Sequence, residues 1–276
     1  MAINLATKYS NQIAAVFTKA SYTAGNYSDD YSFDGVKSVN VWTPQTVELS
    51  DYDRTKASDR FGATVEMQDT LQTLTLSQEK GFSISIDRGN DNDQMMTKRS
   101  GKMMTLQINE QVVPCLDKYC LKTWADNAGQ SVTVAAPTKT NITGLVLDAA
   151  AALDNALVPD DNRIIYIPVT NYSLLRQSPE FVGLEGLGVK AISKGEVGGI
   201  ANMKIVKVPD SYLPDGVAFL ATYKKSVLHP VKLQTARILT EDRHVDGCLL
   251  QGRWYYDAFV LDAKKMGVYV AKVSGK

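Results

Sequence analysis

Hydrophobic and polar positions alternate in several distinct ways along the chain. Residues 3–20 place Ile3, Leu5, Ile13, Val16 and Phe17 in a loosely helical pattern, which predicts a short arm whose apolar face needs a partner. A polar, aromatic connector follows, with Tyr22, Gly25, Asn26, Tyr27, Asp29, Asp30 and Tyr31. From Val36 the period becomes two. Val39, Val41, Val47 and Leu49 are separated by polar residues, and further strand patterns run over 71–76 and through Phe82, Ile84 and Ile86. Pro44 interrupts the first set, as an edge strand permits. Between them, residues 51–62 are charged and poor in core formers. The reading is a two-stranded ribbon over 38–88 with a solvated tip, where Asp51, Arg54, Lys56, Asp59, Arg60 and Glu66 are the candidate contact residues. An isolated hairpin is at best marginally stable in water, and its unpaired edges invite another strand. Another chain is therefore expected to complete it.

The strongest helical pattern covers 91–127, opened by Asp91 and Asp93 as caps and closed near Gly129. Met96, Met103, Leu106, Val113, Cys120 and Trp124 lie mostly on one stripe, so that face meets the body. Pro114 removes one backbone bond and predicts a bend near Glu110. A second helix is predicted over 142–155, ended by Pro159, Asp160, Asp161 and Asn162, and a buried strand over 163–168. A helix through Leu174 and Leu175 completes an α/β lobe. Glycines at 183, 186, 188, 195, 198 and 199 predict a flexible loop over 181–203, followed by strands at 204–208 and 217–221. Alternation from Arg237 through Trp254, Tyr256, Phe259, Leu261 and Val268 to Val273 predicts antiparallel strands returning to the long helix.

Composition narrows the function classes. At 276 residues the chain is near the size at which one core divides into subdomains, and 44% hydrophobic residues suffice to build it. Thirty basic and thirty acidic residues remove the broad positive field of a sequence-reading nucleic-acid binder. The charge is uneven: −2 over 1–140, −4 over 141–187 and +6 over 188–276, so complementary patches can meet between subunits. Cys115, Cys120 and Cys248 fit no zinc spacing and read as free thiols of a reducing compartment. Lys8 and Asn11 interrupt the N-terminal apolar positions, unlike a signal peptide, and no stretch approaches the ~20 apolar residues of a membrane span. No membrane partner and a cytoplasmic site of synthesis are expected.

Candidate chemistry is sparse. His229 and His244 are the only histidines, and neither sits near a nucleophile elbow. Glu241, Asp242, His244 and Asp246 crowd together without a defined metal spacing; calcium would be the plausible ion. Gly195 to Gly199 superficially resembles a phosphate loop but lacks its Gly-Lys-Ser/Thr ending. Trp254, Tyr255 and Tyr256 fit a half-buried strand better than an aromatic binding surface. No catalytic residue, cofactor or metal is expected.

Taken in order, these elements resemble the Hong Kong 97 fold of tailed-phage major capsid proteins, an α+β class. At the residue level the likeness is to a siphophage-type major head protein group, through residues 31–41, 163–172 and 246–262. The resemblance implies an N-terminal arm (1–37), an extended loop (38–88), a peripheral domain with the spine helix (89–137 and 236–276) and an axial domain (138–235). It implies pentamers and hexamers of this one chain tiling an icosahedral shell around double-stranded DNA, with scaffolding and portal partners and a virion location. Gly195, Glu196, Gly198 and Gly199 would then face the capsomer axis. No long charged helical prefix precedes the arm, and Met1 favours a separate scaffolding protein; Lys56 is the loop lysine open to covalent crosslinking. Three other readings stay open: an encapsulin-like nanocompartment shell, a tail or neck protein, and a small α/β hydrolase using His229 or His244.

Overall fold

The computed structural model describes residues 21–33, 36–56, 58–88, 100–178, 196–239 and 246–274. The predicted arm over 3–20, the first part of the long helix, most of the glycine-rich stretch and His244 lie outside them. In chain order the strands are β1 (Ser38–Pro44), β2 (Asp69–Thr75), β3 (Gln78–Asp87), β4 (Gln130–Val134), β5 (Arg163–Pro168), β6 (Glu196–Ile200), β7 (Met203–Val208), β8 (Val217–Tyr223), β9 (Val227–Leu228), β10 (Val231–Leu239), β11 (Gly247–Tyr256), β12 (Phe259–Val260) and β13 (Val268–Val273). The α-helices are α1 (Ser100–Gln107), α2 (Val113–Asp126), α3 (Ile142–Asn155) and α4 (Val169–Gln177).

A six-stranded mixed sheet, ordered β4-β13-β8-β5-β7-β6, forms the centre. Every residue of β5 is buried, as its unbroken apolar run requires. The period-two geometry sorts its side chains: Ile165 and Ile167 pack with Val146, Ala149 and Leu153 of α3, while Ile164 and Tyr166 pack with Cys120, Leu121 and Trp124 of α2. The sheet is thus sandwiched between α3 and α4 on one face and the spine helix on the other. β4 and β13 hydrogen-bond into the strands of the lobe, β13 parallel to β4 and antiparallel to β8. The predicted boundaries at 137/138 and 235/236 therefore run through one sheet, because sequence distance does not decide which strands share a ladder.

The spine is distorted where Pro114 foretold it. Residues Ile108–Val112 form a π turn between α1 and α2, and Glu110, whose carbonyl would have received the missing Pro114 N–H, lies inside it. Widening the turn is how the helix accommodates the proline.

Two expectations are corrected. First, β3 does not belong to the ribbon: β1 pairs only with β2, whereas β3 pairs with β11 in a separate sheet, β10-β11-β3. Phe82, Ile84, Ile86 and Leu250 form one face of that sheet and bury against Met103, Met104 and Ile108 of the spine, a surface the ribbon lacks. Second, residues 196–200 are not loop but the strand β6, joined to β7 by Ala201 and Asn202. Both have left-handed φ angles, 48° and 60°, as a two-residue hairpin turn of the primed type demands.

The end of α3 is closed by a Schellman arrangement. Val158 N–H donates to the Leu153 carbonyl at 3.1 Å and Leu157 N–H to Asp154 at 2.9 Å, with Leu157 at φ 55°. The buried Arg163 guanidinium then satisfies the carbonyls of Val158 and Pro159 and pairs with Asp154 and Asp160. The acidic turn read as a helix terminator holds β5 to α3 through this arginine.

Candidate functional site

The ribbon is attached by one face and one edge. Val39, Val41 and Leu74 turn inward to Phe33, Leu76, Leu228 and Leu261, with Phe33 stacked on Phe259 at 6.1 Å. The Gln72 amide copies a strand neighbour: its Nε2 donates to the Val260 carbonyl and its Oε1 accepts from Asp262 N–H, both at 3.0 Å. Where the chain leaves the ribbon, the buried Asp257 carboxylate accepts from Ser77 N–H at 2.7 Å, from the Tyr119 hydroxyl of α2 at 2.7 Å and from Ala258 N–H at 2.8 Å. Burial and this carboxylate raise the Tyr119 phenol above its ordinary range. Ribbon root, spine and C-terminal strands meet at one residue.

Beyond the root the loop is open. Gln45 N–H still donates to the Gln68 carbonyl, but the described residues of 46–68 form no further ladder, and Val47 and Leu49, expected in a strand, belong to none. The tip is folded on itself: Asp53 N–H donates to Arg60, Gly62 N–H to Asp59, and Tyr52 meets Phe61 edge to face at 4.9 Å. Asp53 accepts from the Thr55 hydroxyl and N–H, and these bonds hold its carboxyl below the ordinary range.

All six predicted contact residues, Asp51, Arg54, Lys56, Asp59, Arg60 and Glu66, are exposed. The first five gather at the tip, where Arg60 Nε donates to the Lys56 carbonyl at 2.6 Å, and Glu66 lies on the returning limb. Charge alone missed the apolar side chains beside them. Leu49 is fully exposed, Phe61 is 83% exposed, and Val47, Val65 and Met67 are also largely in solvent. On the outer ribbon face Trp42 and Leu71 stand opposite each other in register, both exposed. A contiguous segment carrying this much uncovered apolar surface marks an interaction site. Its signal was legible in the alternation at 47–49 and the return at 61, 65 and 67. Of the axis-loop residues, Glu196, Gly198 and Gly199 belong to β6, and Gly195 lies outside the described residues.

Of the two histidines weighed for catalysis, His229 is described and has a packing role. His229 is buried between the edges of Tyr27 and Tyr256, and its Nδ1 lies 2.8 Å from the Asp257 carbonyl. Burial lowers its pKa, opposed by that carbonyl and by the charges of Asp117, Asp257 and Asp29. Cys120 is buried in the core, and burial followed by Asp117 and Asp257 pushes its thiol well up, away from reactivity. A hollow of about 630 Å³ lies on the polar face of the β10-β11-β3 sheet, but its lining holds no histidine or cysteine beside Ser83. No described group of three or more His, Cys, Asp or Glu is placed to hold a metal, and no described helix is long and apolar enough to cross a membrane. Glu241, Asp242 and His244 lie outside the described residues; Asp246 pairs at the surface with Arg88.

No family model matches the chain, and no curated protein matches it. Solved structures do. The capsid structure of Cyanophage P-SCSP1u is similar at TM-score 0.79 and 14% identity, covering 99% of this chain and 94% of that one. The mature capsid of bacteriophage PhiM1 gives 0.76 and 12%, covering 98% and 92%. The chain has a phage capsid fold. A structure from Mycobacterium phage Che8 agrees at 0.73 and 18%, covering 98% of both chains. In each case the likeness extends over nearly the whole length of both chains.

Proposed function

We propose that this chain is the major capsid protein of a tailed bacteriophage, which assembles as pentamers and hexamers into the icosahedral head around double-stranded DNA. The observation that carries the reading is the ribbon: a one-face anchor that projects uncovered apolar residues from a body with capsid topology. In the Hong Kong 97 arrangement residues 1–37 are the arm, 38–77 the extended loop, 78–137 and 236–276 the peripheral domain and 138–235 the axial domain, with β3 joining β10 and β11 and with β4 and β13 carrying the central sheet across the division. The tip residues Asp51, Arg54, Lys56, Asp59, Arg60 and Glu66 contact the next subunit together with Leu49 and Phe61. Gly195, Glu196, Gly198 and Gly199 are the residues assigned to the capsomer axis. Scaffolding and portal proteins are the further partners, and the virion is the location. The encapsulin-like reading is not favoured, since the similar structures described above are phage structures.

Deleting residues 51–66 tests this reading. The deleted protein should stay folded and soluble while closed shells, visible for the intact chain by negative-stain microscopy, are lost. Normal shells from the deletion, or rings and tubes from the intact chain, would sink it.

A further inference from the structure

Two Lys-Lys pairs, distant in sequence, end side by side. Lys224 and Lys225 open the 3-10 turn Lys224–Ser226 after β8, and Lys264 and Lys265 lie in the 3-10 turn Asp262–Gly267 before β13. Val268 is paired opposite Thr222, so both turns occupy one end of the central sheet. They are tied together and to the core. Leu261 N–H donates to the Ser226 carbonyl at 3.0 Å, Lys224 N–H to Asn162 at 3.0 Å, and Gly129 N–H to Lys265 at 3.0 Å. A Cβ on Gly267 would stand 2.3 Å from Ser226 Oγ, and one on Gly129 would stand 2.4 Å from the Lys265 carbonyl. The backbone beneath the four ammonium groups is therefore closely fitted and held.

Lys225, Lys264 and Lys265 are exposed and Lys224 is half-buried. Among the described residues no ion pair uses any of the four, whereas Lys122 of α2 is satisfied by Asp126 at 2.8 Å. Asp262 lies in one of the two turns and Asp161 adjoins the Asn162 that accepts from Lys224 N–H; Asp161 already accepts from Asn162, and the adjoining Asp160 is neutralised by Arg163. Four like charges against two leave a locally positive ridge on a chain of zero net charge.

Resting on the capsid reading, we infer that this ridge binds the phosphate backbone of double-stranded DNA without reading its sequence. Lysine suits such binding because it is a flexible point charge that needs no planar bidentate acceptor. Neither turn carries an aromatic residue, so the ridge offers no platform for stacking the bases of a single strand.

The test is a titration of purified subunits against a fluorescent random duplex at about 50 and about 200 mM salt. Four phosphate contacts should weaken binding roughly 100-fold across that range. A variant with all four lysines changed to Gln should lose most of the binding and its salt dependence, and the corresponding Arg variant should keep both. Equal binding by the wild type and the Gln variant overturns the inference, as does preference for polyglutamate over duplex, which would assign the ridge to an acidic protein. As a second measure, acetylation of these lysines should be suppressed in DNA-filled particles relative to emptied ones; equal reactivity again overturns it. Shell formation is scored separately by microscopy. Duplex binding without shells would refute the capsid reading alone, and shells with no effect of the Gln variant would refute only the ridge.

Discussion

Asp117 faces inward from the spine helix, and its carboxylate accepts from Ser21 Oγ and Thr23 Oγ1 at 2.6 Å and from Tyr22 N–H at 2.8 Å. One buried acid thus fixes residues 21–23 to the spine helix. His229 invites a pH prediction. Its folded pKa lies below the ordinary 6.5, so the unfolded chain binds more protons as the medium acidifies. Its contribution is present above the unfolded value and is lost as pH falls from there through the lower folded value. His229→Gln should remove that part of the drop in melting temperature between about pH 7.5 and about pH 5; an unchanged drop would show that carboxylates alone set the acid limit. Leu157 yields a second prediction. It holds a left-handed φ while 90% exposed, a conformation glycine adopts without cost. Leu157→Gly should be neutral to stabilising by up to about 1 kcal/mol in urea unfolding, in contrast to a glycine placed inside α3.

Among the elements, α3 and β5 were legible to the residue because an amphipathic helix and a doubly buried strand each bear an unmistakable pattern. The ribbon was half legible. Period-two alternation identifies a strand and its apolar face, yet it does not name the partner, and so 78–87 reads as ribbon although its true neighbour is β11. Glycines at 198 and 199 mislead in the opposite sense: they weaken a strand, but pairing with β7 outweighs that local preference. The Gln72 latch could not be foreseen, since its acceptor and donor lie nearly 190 residues away. Gln72→Ala should leave the body's melting temperature almost unchanged while hydrogen exchange at 70–75 accelerates roughly fivefold or more, the loss of about 1 kcal/mol per bond. Unchanged exchange would mean that the apolar root alone holds the ribbon.

For the molecule as a whole, assembly should depend more on the ribbon's apolar residues than on its charges. Phe61→Ser with Leu49→Ser should reduce shell yield strongly with little effect on subunit stability, because both side chains are already in solvent in the isolated chain. Charge reversal at Arg54, Lys56 or Arg60 should act more mildly, since exposed pairs contribute only about 0–1 kcal/mol each, although repetition across a shell makes small terms visible. Light scattering during assembly separates the two; greater sensitivity to charge reversal would reverse the ranking. Read alone, the sequence determined most of the element types, though not β6 or the open limb at 47–49, together with the projecting loop and the break at Pro114, because these follow from local periodicity and backbone chemistry. Only the tertiary structure decided that β4 and β13 complete the lobe's sheet, that Asp257 joins ribbon to spine and that two Lys-Lys turns share one end of that sheet. Those depend on contacts between residues far apart in the chain, which burial and pairing geometry select and local pattern does not encode.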